Sequence, residues 1–189
     1  MRKKTNQRGF TLIEMIVAVA LFATVMLVAT GALLSLVGAS RKAQALQSVM
    51  ENLNIALDSM VRSIRMGSTF HCGSGAYTAT QDCAGGAEVF AFEPFNGDTT
   101  DSTNQWVYLY DPTTKRIYKS VDSGVNFFAL TAPSVRIDSL TFYAVGTTRG
   151  DTTQPKVVIE IKGTAGAQSA RSETTFSVQA TAVQRLLDL

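Results

Sequence analysis

Glu14 is the side chain whose type and setting raise the first chemical question. It stands at the fifth position of an apolar run that opens at Phe10, directly after a short basic segment ending in Gly9. A carboxylate at the centre of a membrane helix is unfavourable by about 3 kcal/mol on insertion scales, and by less near an interface. Its chemistry is that of an ion-pair partner. Away from water it requires a counter-charge, whereas close to headgroups it can snorkel out to them. Other reactive types are sparse: one histidine, His71, and two cysteines, Cys72 and Cys83. Ser–His–Asp catalysis would need His71 held by a rigid scaffold, and no nucleophile-elbow glycine pattern is present. No P-loop, dinucleotide fingerprint or metalloprotease helix occurs. His71 and the two cysteines make three possible ligands at a spacing that does not suit zinc. Neither enzymatic activity nor a cofactor is therefore expected. The run from Asn96 to Asn104 gathers Asp98, Asp101 and several hydroxyls. It lacks the ordered ligands and terminal Glu of a calcium-binding EF-hand loop, so a solvated turn is expected and no metal.

The element that must position Glu14 is a helix. From Met15 to Val37 there are 23 residues without a charge, which at 1.5 Å per residue is about 35 Å, enough to cross a hydrocarbon core. Gly31, Ser35 and Ala39 recur every fourth residue and make a shallow stripe where another helix can approach, a packing role to set against ordinary membrane-helix composition. Arg2, Lys3, Lys4 and Arg8 precede the run and outnumber Arg41 and Lys42 beyond it, which places the N-terminus in the cytoplasm. After Ser40 the pattern turns amphipathic without a break. Leu46, Val49, Met50, Leu53, Leu57, Met60, Val61 and Ile64 recur at spacings of three and four, and they predict one continuous helix from Phe10 to Met66 whose second half packs on a soluble domain. Asp58 and Arg62 are spaced to pair, Arg62 and Arg65 suit the negative end of the helix dipole, and Gly67 is placed to stop the helix as a left-handed residue.

Arg8-Gly9-Phe10-Thr11-Leu12-Ile13-Glu14 and the apolar run behind it resemble the processing and assembly motif of type IV pilins and type II secretion pseudopilins. The resemblance implies that a prepilin peptidase cuts between Gly9 and Phe10 and methylates the new amino terminus. It further implies that Glu14 docks the subunit in a helical filament, paired with the Phe10 amine of an adjacent subunit, with a contact to its own Phe10 amine one turn away as the alternative. An unperturbed α-amine has a pKa of about 8 and so carries the required positive charge. The implied partners are the peptidase, other pilin or pseudopilin subunits and the inner-membrane assembly platform. Gly31, a poor helix former, is where local loosening in a filament core is expected. Motif-level likeness covers about the first forty residues. The long C-terminal domain and the ending Leu57-Asp58-Ser59-Met60-Val61-Arg62-Ser63-Ile64-Arg65 resemble J-type minor pseudopilins and related minor pilins, which sit near the filament tip.

The formal charge of +2 belongs to the leader. From Phe10 onward there are 13 basic and 15 acidic residues, so basicity is no argument for a nucleic-acid partner. Lys115, Arg116, Lys119, Arg136 and Arg149 are scattered, with Asp111, Asp122 and Asp138 beside them, and read as solvated strand faces. Cys72 and Cys83 follow the membrane segment and face an oxidising side, where a loop-closing disulfide is expected over two free thiols.

The expected fold class is α+β, a long N-terminal helix packed on a C-terminal antiparallel sheet. Its parts are a leader over residues 1–9, a membrane or filament-core half helix over 10–39, an amphipathic half over 40–67, a disulfide-pinned surface loop over 68–86 and a β domain over 87–189. Strands are expected over Glu88–Glu93, Trp106–Tyr110, Arg116–Val121, Val135–Val145, around Val157–Lys162 and from Phe176 to near Arg185, joined as a meander. A phase slip near Asp138-Ser139 marks a bulge, and Asp111–Lys115 a hairpin turn. Two rivals remain: a signal-anchored extracytoplasmic binding domain that never polymerises, and a membrane-tethered enzyme.

Overall fold

A computed structural model describes residues 9–165 and 174–185. The leader charges at Arg2, Lys3, Lys4 and Arg8 lie outside the described residues. The chain divides into two compact units, residues 1–43 and 44–189, and one helix, α1 (Leu12–Met66), contributes to both.

In the first unit α1 begins two residues later than expected. Thr11 stands at the N-cap: its hydroxyl accepts the Glu14 N–H at 3.3 Å, and its carbonyl accepts the Met15 N–H at 3.3 Å. A hydroxyl in that place satisfies one of the amides that a helix start leaves open. From there the helix runs unbroken through Gly31 and Gly38, and every residue from Gly9 to Gln44 is exposed. The Thr24 and Thr30 hydroxyls donate back to the Ala20 and Met26 carbonyls, each at 2.7 Å. They thereby need no water, as a helix in hydrocarbon requires. This segment is long and apolar enough to cross a membrane.

The second unit is built on residues 44–66 of the same helix. Val49, Leu53, Ala56, Leu57, Met60 and Ile64 are buried, which keeps most of the predicted apolar stripe and adds Ala56, while Leu46, Met50 and Val61 of that stripe are half-buried. Eight strands follow among the described residues. The first five, β1 (Ser68–Cys72), β2 (Val89–Glu93), β3 (Trp106–Asp111), β4 (Arg116–Ser120) and β5 (Phe128–Ala129), form one antiparallel sheet in chain order. The last three, β6 (Arg136–Val145), β7 (Lys156–Ala165) and β8 (Thr174–Val183), form a second antiparallel sheet. The meander is therefore split in two. An antiparallel bridge between Ala87 and Phe142 and an Ile137 N–H donated to the Lys115 carbonyl at 2.9 Å join the halves. The buried faces of both sheets share one hydrophobic core with the helix stripe, including Phe70, Phe90, Phe92, Tyr108, Ile117, Ile137, Leu140, Phe142, Ile159 and Ile161. Each such large side chain stabilises the fold by about 1.5–3 kcal/mol relative to exposure.

Two local expectations give way. The stretch after the helix was expected as a surface loop, yet it opens with β1, and Phe70, His71 and Cys72 are buried. Phe70 packs edge-on to Phe90 and Phe92 at 5.5 and 6.4 Å, so an aromatic anchor overrides the Gly- and Ser-rich composition around it. Gly67 does end the helix, but its φ is not in the left-handed range. It is needed for space: a Cβ there would overlap the Phe92 ring and stand 2.9 Å from the Glu93 carbonyl. The left-handed residue is Thr69, at φ 50°, in a register shift between Ser68 and His71. The bulge expected near Asp138 is present, as a shift between Ile137 and Ser139.

Candidate functional site

The N-terminal turn of α1 brings together Gly9, Phe10, Thr11 and Glu14. Gly9 and Phe10 precede the helix and are exposed, Phe10 by 78%. The Glu14 carboxylate closes no hydrogen bond or ion pair among the described residues. Its backbone is fixed by the Thr11 cap, so the acid is held one turn from Phe10 with its charge unspent. Thr11 escaped the sequence argument, although Thr11-Leu12-Ile13-Glu14 has the Ser/Thr-x-x-Glu spacing of a capping box and signalled it. Farther along, Gly31, Ser35 and Ala39 are all exposed, and a Cβ on Gly31 would meet nothing.

The cysteines lie in the second unit and are joined, with Cα atoms 5.5 Å apart. Cys72 ends β1, while Cys83 is tied to β6: its N–H donates to the Ala144 carbonyl at 2.9 Å. The disulfide thus links the two sheets instead of merely closing a loop. Asp82 strengthens the same join by accepting the Gly146 and Thr147 N–H groups at 3.2 and 2.9 Å. Burial works against that carboxylate, but those bonds prevail and hold its pKa below the usual value. His71 is buried beside the disulfide. Its Nδ1 lies 2.8 Å from the Ala79 carbonyl, which can only accept, so Nδ1 carries the proton. Nε2 is buried with no hydrogen-bond partner. That tautomer anchors a loop and leaves no nucleophile paired with the ring.

The acidic run turns out to be two successive Asx turns. Asp98 Oδ1 accepts the Thr100 N–H at 2.9 Å and its hydroxyl at 2.7 Å. Asp101 Oδ1 accepts the corresponding groups of Thr103 at 2.8 and 2.7 Å. The Thr100 bonds hold Asp98 below the usual carboxylate range. Among the described residues no group of three or more His, Cys, Asp or Glu side chains is arranged to hold a metal ion.

The five basic residues named from the strand region are each engaged locally. Lys115 and Arg136 flank Asp138 at 3.5 and 4.0 Å, Arg116 donates to the Thr131 carbonyl, and Arg149 to the Thr69 hydroxyl at 2.7 Å. Lys119 Nζ lies 3.3 Å from the centre of the Trp106 ring, a cation–π contact, and burial pushes its pKa down. Asp58 and Arg62, expected to pair, form no ion pair among the described residues.

Comparison with known families matches residues 4–30 to the prokaryotic N-terminal methylation motif. No curated protein and no solved structure matches the chain.

Proposed function

We propose that this chain, which carries the N-terminal methylation motif shared by type IV pilins and pseudopilins, is a minor structural subunit of a type IV pilus-like or type II secretion filament. One observation carries the reading: the motif is joined to an exposed apolar helix whose first turn holds an unpaired acid, Glu14. The basic leader keeps the N-terminus cytoplasmic and the second unit outside it. Prepilin peptidase removes the leader after Gly9 and methylates the Phe10 amine. That amine then supplies the positive charge that Glu14 lacks.

In the bilayer the acid reaches headgroups from its place near the cytoplasmic end. In a filament core water and headgroups are gone, and an unpaired carboxylate is strongly unfavourable. Pairing Glu14 with Phe10 of the adjacent subunit removes that penalty and sets the axial step between subunits. Gly31, Ser35 and Ala39 let neighbouring helices approach. The length of the domain beyond the helix supports a minor position over the major one.

Mass spectrometry of the mature protein tests this directly. The expected N-terminus is N-methylated Phe10. An intact leader in cells with an active peptidase overturns the reading and leaves a signal-anchored binding domain in its place.

A further inference from the structure

The connection between β2 and β3, residues 94–105, covers a carboxylate that the filament reading does not use. Glu93 ends β2 and is buried, as is Gln105 at the far end of the same loop. Gln105 Nε2 donates to Glu93 Oε2 at 2.9 Å, and lies 2.7 Å from the Asp101 carbonyl and 3.3 Å from Asn104 Oδ1. The other carboxylate oxygen, Oε1, is buried with no hydrogen-bond partner. A Cβ on Gly97 would overlap it, so the loop closes directly onto that oxygen. An ionised carboxylate held away from water with one oxygen unmet is unfavourable, and a proton removes its charge. No cation answers it. Asp98 and Asp101, on the loop, add negative charge, and Ser68 of β1 stands opposite Glu93. The basic groups of the surrounding elements are Arg65 in the last turn of α1, Arg149, which donates to the Thr69 hydroxyl, and Lys119, over the Trp106 ring. Beyond Gln105, Asp122 accepts bonds from Ser120 and Asn126. None of the three basic groups closes an ion pair with Glu93 among the described residues. The loop above is lightly held: residues 95, 96 and 98–103 are exposed. Beside the Gln105 bonds, the Ser123 hydroxyl ties it down, 2.8 Å from the Ser102 carbonyl and 2.7 Å from Gln105 Oε1. A segment with so little buried apolar surface is of the kind that opens by itself while the rest stays folded.

We propose that residues 94–105 form a proton-operated latch, closed on Glu93 while its carboxyl is protonated and released when the carboxyl ionises. Burial pushes that carboxyl above the usual range, so the closed loop binds the proton more tightly than the open one. Closure is therefore most complete below the ordinary Glu value of about 4.3 and weakens as pH rises through the raised value. Asp98 works in the opposite sense. The Thr100 bonds hold its carboxyl below the usual range, so its protonation loosens the turn as pH falls. Opening toward neutral pH thus identifies Glu93 and not the Asx turns as the controlling group. The latch lies within the second unit and does not depend on whether the chain enters a filament.

Hydrogen exchange of the full-length protein in detergent micelles tests this, read as the protection of residues 94–105 after correction for base-catalysed intrinsic exchange. From about pH 4 to about pH 7 that protection should fall severalfold in the wild type, while β6 to β8 keep theirs. Glu93→Gln should hold it high and nearly flat across the range, because an amide keeps the shape and an acceptor for Gln105 without the charge. Constant protection in the wild type overturns the latch, and so does an unchanged response in Glu93→Gln. Protection that rises with pH would assign control to the Asx turns and overturns it too. A Gln variant left unprotected at every pH would mean that the proton does not hold the loop, and a fall shared equally by β6 to β8 would mean loosening of the whole unit. Either result also overturns the latch.

Discussion

Two carboxylates pose opposite problems at the residue scale. Glu14 is exposed and unpaired on an apolar helix, whereas Glu93 is 1% exposed at the end of β2. Gln105 Nε2 donates to Glu93 Oε2 at 2.9 Å, but Oε1 has no hydrogen-bond partner. Burial pushes the Glu93 carboxyl above the usual range; Gln105 and Asn104 oppose the rise, and the charges of Asp101 and Asp98 add to it. A raised folded pKa means that the folded state binds the proton more tightly than the unfolded one. That contribution is complete below the ordinary Glu value of about 4.3 and fades as pH rises through the raised value. Glu93→Gln keeps the shape and an acceptor for Gln105 while discarding the buried charge. It should raise stability at pH 7 by about 1 kcal/mol and change little at pH 4. Thermal melts followed by circular dichroism across that range check this, and a variant no more stable at pH 7 contradicts it. Tyr108 is a second buried titrating group. Desolvation pushes its phenol up to about 12, with the Ser63 hydroxyl partly offsetting the rise, so it stays neutral at physiological pH.

At the scale of elements, the helix end and the sheet join decide stability. Gly67→Ala places a methyl group against the Phe92 ring and the Glu93 carbonyl. Overpacking of that kind typically destabilises by about 1–3 kcal/mol, and a midpoint shift in urea would measure it. A neutral substitution would mean that the helix end can yield without loss. Replacing Cys72 and Cys83 together by Ala should destabilise by about 2–3 kcal/mol on chain-entropy grounds. The damage should reach β6, because Cys83 holds Ala144. Hydrogen exchange can localise it: faster exchange confined to residues 73–87 would show that the bridge merely closes its loop. Both effects bear on what the sequence could disclose. Alternation located β6 to β8 and even the slip at Asp138, because the alternate apolar residues there, Leu140, Phe142, Ile159, Ile161 and Ala182 among them, face the same core. β1 stayed hidden, since Ser68-Thr69-Phe70-His71-Cys72 is short and its one strong anchor sits among loop-forming residues. β5, only Phe128–Ala129, is too short to alternate. Glu14, Gly9 and Phe10 could be proposed from the sequence because the motif that carries them is a matter of local order. The approach of Arg185 to the Arg65 carbonyl could not, because it depends on the residues after β8 returning to the helix once the second sheet has been laid down.

For the whole molecule, the filament proposal raises the question of why a chain with a membrane-length apolar helix would leave the bilayer. An apolar helix that meets lipid on every side gains nothing hydrophobic by moving into a bundle of similar helices, since lipid tails are as apolar as leucine. On the proposed filament reading, small-residue packing at Gly31, Ser35 and Ala39 and an ion pair at the helix start supply the drive. Glu14→Ala separates these contributions. Removing the acid makes membrane insertion easier, not harder, so membrane levels and leader removal should be unchanged. Filament incorporation should fall below detection, because the Phe10 amine would enter the core without its counter-charge. Glu14→Gln should fail in the same way, since an amide restores shape and hydrogen bonding but not charge. Quantitative immunoblotting of membrane and sheared filament fractions gives both numbers from one culture. If either variant enters filaments in normal amounts, Glu14 acts only as a side chain reaching for headgroups, and the packing stripe alone must hold the subunits together.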